Sequence, residues 1–374
     1  MTDMPDYRTA YRNALNYESQ GVGMLKAAFG LDHVDYACPP GDSWSYASLY
    51  AFADLGMTFY GGGGFEDMKR PEGLVPSGNR HWGMWFCNLR QIPYSYSFAF
   101  EDLLPFDHIK TSPDIDALLD RCAGRDGVVW SFHPHMALKK RHWDGPNYKG
   151  ANLVEWGKWK MVEDWPDEVT QKFYRDFRAF LRRVKADGRF EFTNTLELKK
   201  RIKPRTAITK AEIPAIRKRL LERLGPVHEP ASWSVADVFQ ASVALLRGEK
   251  SYLPSKDYGF LSRPQGVTAK TVVSSADLRA AAEKIDLTEF IPPAIRVGDK
   301  MIGPADFLYA ALEVLETGAA SVELAPREQL GDFADVPTLA DVDIFSGWPI
   351  HAKTLNNDLL NERLKLQLWT LRFE

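Results

Sequence analysis

The chain has 374 residues, with 47 basic and 50 acidic side chains, and 45% of its residues are hydrophobic. This composition is typical of a globular protein and excludes the collagen-like, disordered and disulfide-stapled classes. No apolar run reaches the roughly 18 to 20 residues that a membrane-spanning helix needs, and the N-terminus lacks a signal-peptide pattern. The three cysteines show no C-x-x-C spacing, which favours a reducing compartment. We therefore expect a cytoplasmic protein without a membrane partner.

The first 200 residues alternate between short β-like runs and helical patterns, which is typical of an α/β fold. Strands are predicted at 35–38, 57–60, 127–132 and 190–193. Helices are predicted at 45–55, 112–122 and 169–186, where serine, proline and glycine punctuate the expected helix ends. Two long insertions separate these elements, at 61–111 and 134–167, and they hold six of the eleven tryptophans.

These aromatic insertions admit two interpretations. Loops of this length are usually functional or disordered, and the aromatic content argues against disorder. Trp82, Trp85 and Trp143 either line a substrate groove or pack the loops against the fold. Both interpretations stay open at this point.

A basic block separates the two halves of the chain. Residues 199–223 hold ten basic and two acidic side chains, and Pro204 and Pro214 interrupt them. The pattern predicts a solvated linker that ends in a short helix from about Pro214 to Leu224. Because the block has no aromatic residues to stack on bases, we predict no nucleic-acid partner. The predicted domains are therefore 1–200, a linker at 201–228, and 229–374.

The C-terminal part is predicted to be a smaller, mainly helical domain with a weak repeat. SVADVF from Ser234, SSADLR from Ser274 and GPADFL from Gly303 each place Ala-Asp before an apolar residue. A serine followed three residues later by an acid predicts a capped helix start. The stretch at 290–315 also resembles a pseudomurein-binding repeat over some 25 residues. The last twenty residues predict an amphipathic helix with an apolar tail that docks on another surface.

Three runs in the first 200 residues point to a known family. They are YACPPGDSWSYASLYAFADLGM, VVWSFHPHM, and WPDEVTQKFYRDFRAFLRRVKADGRFEFTNTLEL. In their order and spacing they resemble the second half of the NodB-type polysaccharide deacetylase domain, over about residues 8–200. The resemblance implies a distorted β/α barrel and a metal-dependent hydrolase of amide C–N bonds in carbohydrates. The fold expected here is an incomplete barrel of this type, followed by the smaller helical domain.

The family's metal-binding half has no counterpart in this chain. Its T-F-D-D-G aspartates and its H-x-x-x-H histidines are absent, and Ala37 replaces the arginine of its R-x-P-x-G loop. An incomplete barrel leaves open sheet edges, which proteins in water usually cover. The resemblance therefore implies a protein partner or an upstream segment that completes the barrel, although a differently closed sheet and a gene fragment are the alternatives.

The predicted site residues follow strand ends, where β/α folds build their sites. The resemblance assigns His133 to the catalytic step, as the group that protonates the leaving amine. The predicted substrate-binding residues are Pro39, Gly41, Asp42, Trp44, Trp82, Trp85, His135 and Trp143. Asp42 is equally interpretable as a helix cap. The His133 and His135 pair is a weak metal candidate, because Pro134 lies between them and no second pair of ligands has a matching spacing.

Two functions from different classes remain. The first is a deacetylase-like hydrolase of a carbohydrate or small amide substrate, in which a divalent, zinc-like metal is bound once a partner completes the site. There the metal would lower the pKa of bound water and polarise the acyl carbonyl. The second is a non-catalytic glycan-binding or assembly subunit derived from a deacetylase.

Overall fold

A computed structural model describes residues 6–38, 45–61, 84–92, 115–123, 137–140, 147–149, 152–331 and 362–373. Its helices are α1 (Tyr7–Phe29), α2 (Tyr46–Asp54), α3 (Ile115–Cys122), α4 (Asp167–Ala186), α5 (Thr195–Lys200), α6 (Ile213–Glu222), α7 (Val235–Leu246), α8 (Ser275–Ala282) and α9 (Pro304–Thr317). Within the described ranges, no helix has the length and apolar character needed to cross a membrane.

The strands are short, and most are antiparallel. They are β1 (Tyr36–Ala37), β2 (Phe59–Gly61), β3 (Met84–Phe86), β4 (Leu89–Ile92), β5 (Tyr148–Lys149), β6 (Asn152–Leu153), β7 (Ile208–Thr209), β8 (Ser251–Tyr252), β9 (Thr271–Ser274), β10 (Ile295–Val297), β11 (Lys300–Ile302), β12 (Ser321–Leu324) and β13 (Arg372–Phe373). The largest sheet has the order β1-β2-β4-β3-β13, and the other four sheets have two strands each. The protein is thus a mixed α/β fold.

The five-stranded sheet has a parallel half and an antiparallel half. β1, β2 and β4 are parallel neighbours, whereas β3 pairs antiparallel with β4 and with β13. Helix α2 connects β1 to β2, so these elements form a β-α-β unit. The sheet does not close on itself within the described residues, where β1 and β13 form its two edges.

Local sequence signals located several elements correctly. The predicted strand at 35–38 contains β1, the predicted strand at 57–60 overlaps β2, and the predicted helices at 45–55 and 169–186 match α2 and α4. The hydroxyl of Ser45 caps α2 by accepting the N–H of Ser48. The predicted strand at 127–132 lies outside the described residues.

Two predictions for the first half are wrong. Residues 190–193 are irregular and form no strand, because Phe190 packs against the apolar side chains of α3 and α4 instead of joining a ladder. The insertion at 61–111 is not irregular throughout, since it contains the β3–β4 hairpin. Cys87 and Asn88 form its two-residue turn, and both have positive φ, as a type I′ turn requires.

The three repeated motifs of the second half each begin a helix. Ser234 caps α7 in a complete capping box with Asp237, and Ser274 caps α8 by accepting the N–H of Asp277. Before α9, the main-chain N–H of Gly303 donates to Asp306 Oδ2 at 3.0 Å. An acid at the third position therefore satisfies or stabilises each helix N-terminus, as the pattern predicted.

One hydrophobic core extends across the predicted domain boundary. It joins apolar residues of α2 and of the five-stranded sheet to those of α6, α7 and α9. Every residue of α7 is buried. The predicted linker helix is α6, and Ile213, Ile216 and Leu220 on one of its faces have no exposed surface. This part of the basic block is therefore packed into the core rather than solvated.

The C-terminal tail docks as the sequence predicted. Trp369 is fully buried, with its ring 4.8 Å from that of Phe260 and 6.0 Å from that of Phe239. The strand that follows, β13, adds to the outer edge of β3. The tail thus connects the sheet of the first half to the helices of the second.

The two serine caps differ in burial, which makes their energetic contributions testable. Ser234 is fully buried, and its hydroxyl accepts from Asp237 N at 2.9 Å and donates to Asp257 Oδ2 at 3.0 Å. We expect Ser234→Ala to lower the free energy of unfolding by about 2 kcal/mol, because it removes both the cap and a buried hydrogen bond to the carboxylate of Asp257. Ser274→Ala, at an exposed cap, is expected to cost about 1 kcal/mol. Urea denaturation of both variants checks this, and equal losses would contradict it.

Candidate functional site

Most of the predicted site residues lie outside the described residues. These are Pro39, Gly41, Asp42, Trp44, Trp82, His133, His135 and Trp143. Their proposed roles stay predictions. Trp85 is described, and it lies on β3 with its indole partly exposed.

The predicted loop at 39–44 follows β1 in the sequence. Because β1, β2 and β4 are parallel, their last residues, Ala37, Gly61 and Ile92, lie at the same end of the sheet. We call this the carboxyl end of the strands. In open and closed β/α folds, active and ligand-binding sites form at the carboxyl ends of the parallel strands. The predicted loop follows Ala37 in the sequence and itself lies outside the described residues.

The two faces of the sheet have different surroundings. Ala37, Tyr60 and Leu89 belong to the hydrophobic core that includes α2. Side chains alternate along a strand, and residues in register share a face. A second row therefore crosses the opposite face, and it consists of Tyr36, Phe59, Arg90, Trp85 and Arg372. This row combines aromatic rings with two guanidinium groups.

A cavity of about 390 Å³ opens at the end of the sheet where β2 and β4 begin. We call it the basic cavity. Its basic lining residues are Lys199, Lys203, Arg205 and Arg372. Its other lining residues are Thr58, Trp85, Asn88, Ile202, Pro204 and Ser255, so none of them is acidic. The cavity thus lies at the end of the parallel strands opposite to their carboxyl ends.

Arg205 is anchored behind the cavity by a buried carboxylate. Its Nη1 and Nη2 donate to the two oxygens of Asp257 at 3.1 Å and 2.8 Å, which is a bidentate geometry. The same Nη2 lies 3.3 Å from Oδ1 of Asp237. Both acids are buried, with side chains 1% and 2% exposed.

The two buried acids have opposite pKa shifts. Burial and the nearby charge of Asp257 raise the pKa of Asp237 well above its ordinary value. Burial also acts to raise the pKa of Asp257, but Arg205 and a hydrogen bond with Asp237 outweigh it and hold this pKa below its ordinary value. Asp237 is therefore the acid of the pair that keeps its proton to higher pH, and Asp257 is the counterion of Arg205.

Two further contacts fix the cavity wall. The Asn88 side chain accepts the N–H of Asp257 at 2.7 Å and donates to its carbonyl at 2.9 Å, which ties the β3–β4 turn to the segment that carries Asp257. The Arg372 guanidinium lies 4.2 Å from the centre of the Trp85 ring, a cation–π contact. The wall is thus preorganised by hydrogen bonds and stacking.

Lys199 and Lys203 differ in their partners. Lys199 Nζ lies 2.6 Å from Oδ1 of the buried Asp35. Lys203 is exposed, and no carboxylate in the described part of the chain pairs with it. Its ammonium group is therefore available to a ligand at the mouth of the cavity.

The described residues offer no cluster of metal ligands, and the buried Cys87 is not an activated thiol. No group of three or more His, Cys, Asp or Glu side chains in the described ranges could hold a metal ion. Burial strongly raises the pKa of the Cys87 thiol, so the thiol stays protonated and is a poor nucleophile. The metal implied by the family resemblance has no ligand set among these residues.

Sequence reasoning missed the cluster of Arg205, Asp237 and Asp257. The basic block was visible, but its pattern predicted solvent exposure, and Asp237 was interpreted only as a helix-capping residue. Arg205 and Asp257 are 52 residues apart, so no local spacing connects them. Comparisons of this chain with protein-family models, with curated proteins and with solved structures gave no match.

Proposed function

We propose that this protein is a deacetylase-like hydrolase of amide C–N bonds in carbohydrate or related substrates, whose metal ligands come from a partner or an upstream segment. The main support is the β1-α2-β2 unit, whose parallel strands end side by side at Ala37 and Gly61, and the predicted loop follows Ala37 in the sequence. An incomplete β/α barrel of the deacetylase type would have such a unit among its strands.

The two-faced sheet supports the same proposal. Its helix-covered face belongs to the core, whereas the opposite face carries the row of aromatic and guanidinium side chains that includes Tyr36, Arg90 and Trp85. In a completed barrel the helices lie outside and this row faces the interior. The edge strand β1 would then be the place where further strands pair.

An activity assay on the complex purified from its source tests the hydrolase. We expect release of acetate from N-acetylated oligosaccharides, lost on chelation, and at least a hundredfold loss of activity in His133→Ala, because the variant lacks its general acid. His142→Ala is the matched control and is expected to keep full activity. Zinc binding and hydrolysis by the isolated chain would contradict the need for a partner.

The second candidate is a non-catalytic binding or assembly subunit. The observation that favours it is the basic cavity, whose lining residues are suited to binding. A His133→Ala complex that retains all activity, together with glycan binding that chelator leaves unchanged, would favour this candidate over the enzyme.

A further inference from the structure

We infer that the basic cavity is a binding site for a small organic anion, in which a carboxylate or phosphate group is attached to a sugar-sized ring. The inference depends on the cavity lined by Lys199, Lys203, Arg205 and Arg372. It goes beyond the proposed hydrolase, since the cavity lies at the opposite end of the parallel strands from their carboxyl ends, where the hydrolase site is proposed.

The charge around the cavity favours an anion. Four of its ten lining residues are basic and none is acidic. Burial raises the pKa of Asp237, one of the two acids behind Arg205, well above its ordinary value, so this acid offsets less positive charge than an exposed carboxylate would. Lys203 at the mouth is exposed and pairs with no carboxylate among the described residues. A ligand that carries one or two negative charges would supply the missing counterion.

The size and the apolar part of the wall favour a ring compound over a bare ion. A volume of about 390 Å³ falls within the range of small-molecule sites. Trp85, Ile202 and Pro204 provide apolar surface beside the cations. The ring of Trp85 also lies under the Arg372 guanidinium, so apolar and charged groups adjoin in one wall.

The wall is built to hold its position before a ligand arrives. Asp257 fixes Arg205 through two hydrogen bonds, and the Asn88 side chain fixes the main chain of Asp257. Arg372 is 95% buried, with its guanidinium over Trp85. Such preorganisation lowers the entropy lost on binding. It also distinguishes this cavity from a patch of freely moving surface lysines.

Isothermal titration of the full chain tests the inference directly. The probes are inorganic phosphate, glucose 6-phosphate, glucuronate and uncharged glucose. We expect both charged sugars to bind more tightly than phosphate alone, glucose not to bind, and raised ionic strength to weaken binding. The relative affinities of the phosphorylated and carboxylated sugars then identify which anionic group the cavity takes.

Variants at the mouth of the cavity locate the site. We expect Lys203→Ala to weaken the binding of the charged sugars about tenfold, and Lys203→Glu to abolish it. Lys218→Ala and Lys218→Glu, on the exposed face of α6, are the matched controls and should bind like the parent chain. Both sites are exposed, so folding is expected to be unaffected, which far-UV circular dichroism checks.

Three outcomes would overturn the inference. The first is that neither charged sugar nor phosphate binds. The second is that binding is equally strong in Lys203→Glu and in the parent chain, which would place the anion elsewhere. The third is that a short single-stranded oligonucleotide binds while the small anions do not, which would make the basic block a nucleic-acid surface.

Discussion

Asp257→Asn is expected to lower the free energy of unfolding by about 3 kcal/mol, because it removes the carboxylate that pairs with buried Arg205. Asp257 accepts two hydrogen bonds from Arg205 and one from Ser234. Asp237 would ionise in its place, but its oxygens lie 3.3 Å and 3.4 Å from Arg205 Nη2 and offer a weaker contact. The expected loss of stability is therefore large, but it is smaller than the loss for a buried charge that has no counterion at all.

Asp237→Asn is the matched variant and is expected to cost less than about 1 kcal/mol at neutral pH. An asparagine resembles the protonated acid, since its oxygen still accepts the N–H of Ser234 and its amide donates in place of the carboxyl proton. Urea denaturation at neutral pH compares the two variants. Equal losses would contradict the assignment of the proton to Asp237.

The pH dependence gives a second test of the same pair. A group whose folded pKa is raised stabilises the fold fully below its unfolded pKa and loses that contribution as pH rises through the folded value. For Asp237, the pH range in which this stabilisation is lost begins near the ordinary pKa of 3.8 and extends upward. Asp237→Asn should therefore gain stability relative to the parent chain as pH rises through this window. A difference that is independent of pH would contradict the raised pKa.

Trp369→Ala is expected to lower the free energy of unfolding by about 3 to 5 kcal/mol, the range for a large aromatic residue removed from a core. Trp369 is fully buried between Phe239 and Phe260, and the strand that follows it pairs with β3. The variant leaves a cavity at the junction of the sheet and the helices. The variant should therefore weaken the packing of the five-stranded sheet as well as that of the helices.

Leu221→Ala is the control for Trp369→Ala. Leu221 lies on α6 with 56% of its surface exposed, so its truncation should change stability by less than about 0.5 kcal/mol. Chemical denaturation followed by fluorescence and by circular dichroism measures both variants. A loss below about 1 kcal/mol for Trp369→Ala would mean that the tail contributes little to the core.

Short-range signals account for the parts of the fold that could be predicted. The cap residues Ser45, Ser234 and Ser274 are followed within three residues by the N–H groups that they satisfy. Helix periodicity identified α4, and the apolar tail was predicted to dock. These features depend on contacts within one turn or on one amphipathic face, which a sequence displays directly.

Other parts of the fold could not be predicted, because they depend on a distant partner or carry only a weak local signal. The β3–β4 turn uses Cys87 and Asn88 at positive φ, positions where glycine is the usual signal. Arg205 belongs to a basic block that looks solvated, and only its distant partner Asp257 makes it a buried residue. Helix α1 was not predicted, because only Ala10 and Ala14 of its 23 residues are buried and its apolar pattern is weak.

The candidate site also has one part that the sequence predicts and one part that it does not. The sequence predicts a strand before residue 39, and β1 confirms that strand, whereas the loop at 39–44 lies outside the described residues. The basic cavity is assembled from β3, β13 and the segment after α5, and no sequence spacing brings these together. Sequence patterns alone therefore indicate the proposed catalytic loop but not the proposed anion site.

Native mass spectrometry of the protein purified from its source tests the proposed function most directly, since it reads total mass and bound metal together. The proposal predicts a mass larger than that of this chain, with one divalent metal ion, in which the additional polypeptide carries the aspartate and H-x-x-x-H ligands. A metal-free mass equal to this chain or its simple multiples would contradict it and would favour a binding subunit.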